Sequence, residues 1–571
     1  MAQGVPEVEP VEQVAKFAIS RSPQGFDPIR NTEMIDASLQ RQVIECLVEY
    51  DYLAGNESVV GQLATSWSVS EDGLEWRFQL RKDARFYDPF ENPLWPNRSR
   101  AVTAHDVLFS WLRQADARGT SGGYWAMDGI LVGIEEYREA TANLNPQLAA
   151  QAMADALREG IPGIEIINDH ELLLRLQQPD PRLLNRLAMS YFGVYPHEAV
   201  AKDGRSMRDQ PVGSAPFAVA DWLPGQTLIL QRTPNWRKEL SPFGDDQLLP
   251  YLDRVEFHLV SEAQTSLAMF KRGEIARLGV GNTARKHYLD ENLALKQVFT
   301  EEGIRLFDYP IADTTMLCFG MEDPVVGDLP GDNEGNQKRR LLRRALALAF
   351  PYEFWAEKIR GALKADLATS FLPPAVPDAE ALPPSLWNHQ DFEMAKKLLV
   401  EAGYPNGQGL PAIEFVLPGA VGVVLDIGNL YRASLKEIGV ELELVPIPYQ
   451  KQLERARNSD AQIFLRTWIL EWPDGTMILQ NFHGPSSNAE INLSRYHNPI
   501  FDDAFETYRA MPQGPERDQV LLLLHGMLEH EVPAVAVDHR RARMLVQPWL
   551  SNFHVHPFNA FFSKYYRVTE L

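Results

Sequence analysis

Gly119-Thr-Ser121-Gly-Gly123 has the GxSxG spacing that would set a serine nucleophile on a sharp strand-to-helix elbow. An elbow needs a strand before the serine. The residues before this one, Val107 to Ala117, instead repeat their apolar positions at helical spacing, so the glycines read as a helix stop and a loop. His197-Glu198 and His530-Glu531 each open an HExxH zinc motif, yet neither has the second histidine four positions on that would put two imidazoles on one helical face. His554 and His556 would share one face of an expected strand, and a metal there would need further ligands that the sequence does not identify. No Gly-x4-Gly-Lys-Ser/Thr string occurs, so no loop is expected to cradle a nucleotide's phosphates. Carboxylates abound without any pair whose spacing singles out acid/base work. The expectation is therefore a chain with no catalytic residues, no metal site and no cofactor.

Any other chemistry depends on the elements that position it. A chain of 571 residues suggests three or four compact parts at roughly 150 residues each. Hydrophobic residues at 45% and charged residues at 23% are ordinary for a folded soluble chain and argue against disorder. A formal charge of −22 repels phosphate backbones and disfavours nucleic-acid binding. The longest apolar runs fall well short of the roughly 20 residues of a membrane-spanning helix. Two cysteines, Cys46 and Cys318, are too few for a disulfide scaffold, and their pairing is open.

Periodicity predicts a hairpin over Trp67 to Arg81, turning at Glu71-Asp72-Gly73, with Leu74, Trp76, Phe78 and Leu80 on the buried face. Thr103 reads as a helix N-cap with Asp106 at the third helical position, followed by Val107, Leu108, Trp111, Leu112 and Ala115 on one stripe. Further strands are expected at Phe217, Thr227 and Val255, then a helix over Glu262 to Arg272. Helices are expected over Lys338 to Phe350 and Trp355 to Arg360. From Phe392 the order is helix 392–401, strand 413–417, helix 427–437, strand 440–446, helix 450–458 and strand 462–469. That rhythm predicts βαβ units and a mostly parallel sheet.

Gln62-Leu-Ala-Thr-Ser-Trp67, Ser70-Glu-Asp-Gly73, Phe78-Gln-Leu-Arg81, Phe86 and Thr103-Ala-His-Asp106-Val107 follow one another in an order and spacing that resemble the family 5 extracellular solute-binding proteins, the oligopeptide- and dipeptide-binding components of ABC importers. The resemblance continues through Pro211 to Phe217, Trp222, Asn235-Trp236, Leu267 to Ile275, Arg340 to Phe350, Ala395 to Tyr404 and Trp468 to Asp474. Departures are the insertion Pro89 to Arg100, Ala276 in place of an aspartate, and Glu471-Trp472 in place of the commoner Asp-Tyr.

The resemblance implies an α/β, two-lobed periplasmic-binding-protein fold (Venus flytrap, type II) with an extra small domain on the first lobe. Lobe one is expected at 11–56, 195–300 and 535–571, the extra domain at 57–194 and lobe two at 301–534. The implied function is capture of a peptide or peptide-like solute by hinge closure and delivery to an ABC permease with its ATPase subunits. The alternative is a non-peptide solute such as a sugar, an opine or a metal chelate, and an enzyme is a more distant reading. In peptide-binding members the acidic residue three positions after the matching tryptophan pairs with the ligand's α-amino group, so Trp468-Ile-Leu-Glu471 makes Glu471 the expected ligand contact, with Trp468, Trp472 and Asp474 beside it. A monomer in the periplasm or on the cell exterior is implied, its signal segment removed, with no nucleic-acid partner.

Overall fold

The computed structural model describes residues 12–30, 33–54, 58–119, 121–201, 206–357, 365–419, 422–487 and 491–569. The chain forms two compact units, Met1–Phe307 with Met544–Leu571, and Asp308–Arg543. Both passages of the chain from one unit to the other fall within strands, Arg305–Pro310 and Ala534–Val546.

The first unit holds two separate four-stranded sheets. In one, Val14–Ile19 lies parallel to Arg254–Leu259, which continues antiparallel to Thr227–Arg232 and then Phe217–Leu223. Phe17, Phe257 and Phe561 pack as a ring cluster on this sheet, with centres 4.9 to 5.6 Å apart, the range in which aromatic pairs attract. The other sheet is antiparallel throughout, in the order Ala64–Val69, Glu75–Leu80, Glu171–Arg175 and Ile164–Asn168. Its first hairpin turns where expected, and Trp76, Phe78 and Leu80 are buried while Glu75 and Arg77 face solvent. Helix Ala104–Ala115 starts at Thr103, whose backbone N–H donates to the Asp106 carboxylate at 2.9 Å, and its stripe of Val107, Leu108, Trp111, Leu112 and Ala115 is fully buried.

The second unit is built on a sheet in the order Ala534–Val546, Asp313–Phe319, Ile463–Ile469, Ile413–Leu417, Leu442–Pro446, with Ala365–Leu367 also pairing the first of these. The helix-strand rhythm from Phe392 matches the expectation closely, with helix Phe392–Glu401 and strand Ile413–Leu417 at the expected bounds. The mostly parallel sheet does not form. Only Ile463–Ile469, Ile413–Leu417 and Leu442–Pro446 are mutually parallel, because only these are joined by crossover helices, whereas Asp313–Phe319 runs antiparallel to both its neighbours. That strand is buried along its whole length, as a central strand covered on both faces must be.

Several chemical candidates resolve simply. Ser121 lies in a loop after helical segments, and its hydroxyl accepts the Gly123 N–H. His554 and His556 are not on a strand; they pack against Tyr52 and Tyr50, and no cluster of three metal-ligating side chains occurs among the described residues. Both cysteines are free and buried, and burial pushes each thiol up to about 12. No described helix is long and apolar enough to cross a membrane. The expected helix Trp355 to Arg360 lies partly outside the described residues.

Candidate functional site

Strand Ile463–Ile469 carries the expected site. Its residues are β-branched, aromatic or aliphatic apart from Arg466, the composition of a strand packed on both faces. It pairs residue for residue with Asp313–Phe319, from Phe319↔Ile463 to Asp313↔Ile469, and the Leu470 N–H donates to the Ala312 carbonyl at 2.8 Å. The sheet therefore holds the chain up to Leu470. Glu471 is the first residue beyond it, and it is exposed.

The chain beyond Glu471 is anchored from the interior. Trp472 and Asp474 are buried, and Asp474 takes two hydrogen bonds from Arg517 Nη2, at 2.9 and 2.8 Å, and a third from the Thr476 N–H at 2.9 Å. Arg517 also donates from Nη1 to Asp378 at 2.6 Å, and Asp378 in turn accepts from the Tyr508 hydroxyl and the Gly475 N–H. Burial alone would lower the Arg517 pKa, but Asp474, the Tyr508 phenol and Asp378 outweigh it and hold the guanidinium above its ordinary value. The backbone at Gly475 passes so close to this cluster that a Cβ there would lie 2.3 Å from the Tyr508 hydroxyl, so only glycine fits. The turn after Glu471 is thus fixed by a buried carboxylate–guanidinium–carboxylate chain.

Before Glu471, Arg466 and Trp468 lie on the same face of the strand, two residues apart, and the guanidinium sits 4.5 Å from the Trp468 ring centre. Arg466 donates to the Ile491 carbonyl. Burial pulls its pKa down to about 10, with no carboxylate among the influences on it. Trp468 is half-buried, and its indole N–H is enclosed without a hydrogen-bond partner among the described residues.

The four expected residues thus fall in one short stretch with different surroundings. Glu471 is exposed, Trp468 is half-exposed, Trp472 is interior, and the Asp474 carboxylate is engaged by Arg517. Sequence reasoning missed Arg517, Asp378 and Arg466. Arg466 had a readable signal, the lone charge in a strand that is otherwise apolar apart from Thr467. Asp378 and Arg517 had none, being 139 positions apart. In the first unit, a groove of about 340 Å³ is lined by Ser20, Ser261, Ser266, Asn282 and Thr283, a set of hydroxyls and an amide able to exchange hydrogen bonds with a polar solute.

Residues 58–490 match the description "Bacterial extracellular solute-binding proteins, family 5 Middle". Among curated relatives, Heme-binding protein A of Haemophilus influenzae is 24% identical over 559 residues, covering 95% of this chain and 90% of the relative. The periplasmic oligopeptide-binding protein OppA of Escherichia coli is 23% identical over 547 residues, covering 93% of this chain and 88% of the relative. Among solved structures, HbpA2 from Haemophilus parasuis superposes with a TM-score of 0.75 at 20% identity, over 98% of this chain and all of that one. The fold is that of the two-lobed periplasmic binding proteins.

Proposed function

The chain belongs to the bacterial extracellular solute-binding proteins of family 5, and from that membership we propose that it is the solute receptor of an ABC importer, capturing a peptide or peptide-like solute by hinge closure and handing it to a membrane permease. The observation that carries the peptide reading is Glu471. This residue is exposed immediately beyond a strand paired up to Leu470 and immediately before a turn locked by Arg517. An acceptor held in place in this way loses little freedom when it meets an ammonium group, and a charge-assisted hydrogen bond of this kind contributes about 1.5 to 3 kcal/mol.

In this reading Glu471 takes the peptide's α-amino group and the half-exposed Trp468 offers a flat apolar face to the adjoining part of the solute. Trp472 and Asp474 support the turn from within. The fold's hinge supplies selectivity, because closure is favoured only by a solute that binds the closed state more tightly than the open one. The three-part division expected from the sequence, with 57–194 as an extra domain on the first lobe, belongs to this proposal. So do a periplasmic location, a monomeric receptor, an ATPase-driven permease as partner and the absence of turnover. The charge of −22 speaks against a nucleic-acid partner.

Native mass spectrometry of the protein with a pool of di- to pentapeptides, and separately with haemin, tests the reading, since one relative is named for oligopeptides and another for haem. Retention of one peptide per chain, recovered uncleaved after hours, is expected. Retention of haemin with no peptide would replace the peptide by a non-peptide solute.

A further inference from the structure

The Pro89 to Arg100 insertion, which the receptor function does not require, builds a wall. Strands Arg85–Tyr87 and Ser99–Ala101 pair antiparallel, with Tyr87 opposite Ser99, and residues 88–98 form their loop. The loop is pinned from inside: the buried Asp88 carboxylate accepts the Phe90 and Leu94 N–H groups at 3.1 and 2.7 Å. Arg98, at a left-handed φ of 56°, donates from Nη1 to the Asp88 and Phe90 carbonyls at 3.2 and 2.7 Å. At the base, Arg100 is shared between Asp106 and Glu198.

A second wall faces it. There the Trp236 indole donates to the Ser214 carbonyl at 2.9 Å, and the Arg237 guanidinium packs 4.2 Å from the Trp236 ring centre. Arg237 is itself held by Glu45 at 2.6 Å and Glu239 at 3.1 Å, so its charge is already matched. Between the walls lies a cavity of about 470 Å³.

We propose that this cavity is a second binding site, separate from the strand end at Glu471, and that it takes an anionic saccharide of one or two rings. The charge balance of its lining points to an anion. Among the described residues Arg85 spends Nε and Nη2 on Ser99, at 2.9 and 3.5 Å, and keeps Nη1, and Arg98 spends only Nη1. The lining's acidic residue, Asp83, is paired with Arg81 at 2.7 Å, which holds its carboxyl below the usual range. Two arginines with guanidinium N–H groups to spare among the described residues therefore line the cavity, in a chain whose overall charge is strongly negative.

The remaining lining points to a polyol. Asn97, Asn235 and Tyr87 carry both donors and acceptors, which hydroxyl groups of a sugar match one for one. Trp236 supplies an aromatic side chain against which a sugar ring can pack. The volume lies within the range of small-molecule sites and suits one or two sugar rings. A uronate and a sugar phosphate share this chemistry.

Isothermal calorimetry on the full chain with D-glucuronate, glucose 6-phosphate and D-glucose tests the site, using wild type, Arg85→Glu and Glu471→Gln. Arg85 is exposed, so the charge reversal is expected to leave the melting temperature unchanged. Saturable binding of glucuronate or glucose 6-phosphate is expected, with glucose at least tenfold weaker. Arg85→Glu should weaken the anion tenfold or more, and Glu471→Gln should leave it unaltered. Whichever anion binds more tightly identifies the source as uronate or sugar phosphate. Absence of saturable binding of both anions up to ~10 mM, equal binding of glucose, or loss of the anion in Glu471→Gln overturns the proposal. Peptide binding is read separately on the same samples, so failure here leaves the receptor function standing, and the reverse holds equally.

Discussion

Arg517 stands between two buried carboxylates, and its removal should reveal what the turn after Glu471 rests on. With methionine in its place, Asp378 and Asp474 would remain in the interior without their cation. Breaking a buried pair from one side typically costs about 3 to 5 kcal/mol. Arg517→Met should therefore lower the urea midpoint by that equivalent, and Arg517→Lys should recover part of it, since an ammonium restores the charge but not the two-pronged geometry. A loss below about 1 kcal/mol, the scale of a surface pair, would contradict this role. The same residues mark the limit of reading side chains from sequence. Glu471 and its two tryptophans were nameable from the family resemblance, which runs through the consecutive residues Trp468 to Trp472. The partners that fix the turn were not, because an ion pair between residues 378 and 517 leaves no periodic trace and exists only once the unit has folded.

Among the helices and strands, periodicity served well where local geometry decides and poorly where topology does. Helix Phe392–Glu401 and strand Ile413–Leu417 follow from spacing, caps and turns inside their own segments. The direction of Asp313–Phe319 relative to Ile463–Ile469 is set by which distant strand reaches the sheet, and no local signal carries that. The hairpin bearing the insertion can be tested as a unit. Asp106 accepts both the Thr103 N–H that starts its helix and the Arg100 guanidinium that closes the loop. Asp106→Asn removes the charge from both contacts and should cost about 1.5 to 3 kcal/mol. Hydrogen exchange at residues 88–98 should accelerate, since of its two carboxylate partners Arg100 keeps Glu198 alone. Unchanged protection in that loop would show that Asp88 and Arg98 suffice to hold it.

For the molecule as a whole, two compact units linked through two strands and a fold shared over 98% of the chain with HbpA2 from Haemophilus parasuis give the architecture of the periplasmic binding proteins. The long-range order of motifs made the fold legible in the sequence; the solute's identity was not, since a few side chains decide it and the proposed contact, Glu471, departs from the commoner aspartate. The decisive measurement is calorimetry with the peptide retained from the pool, in free and N-acetylated form, on wild type and Glu471→Gln. Wild type should bind the free peptide and lose it on acetylation. Glu471→Gln should weaken the free peptide by about a hundredfold, the equivalent of ~3 kcal/mol. Equal binding of both forms by wild type would contradict an amino-group acceptor at Glu471 and with it the peptide reading of this site.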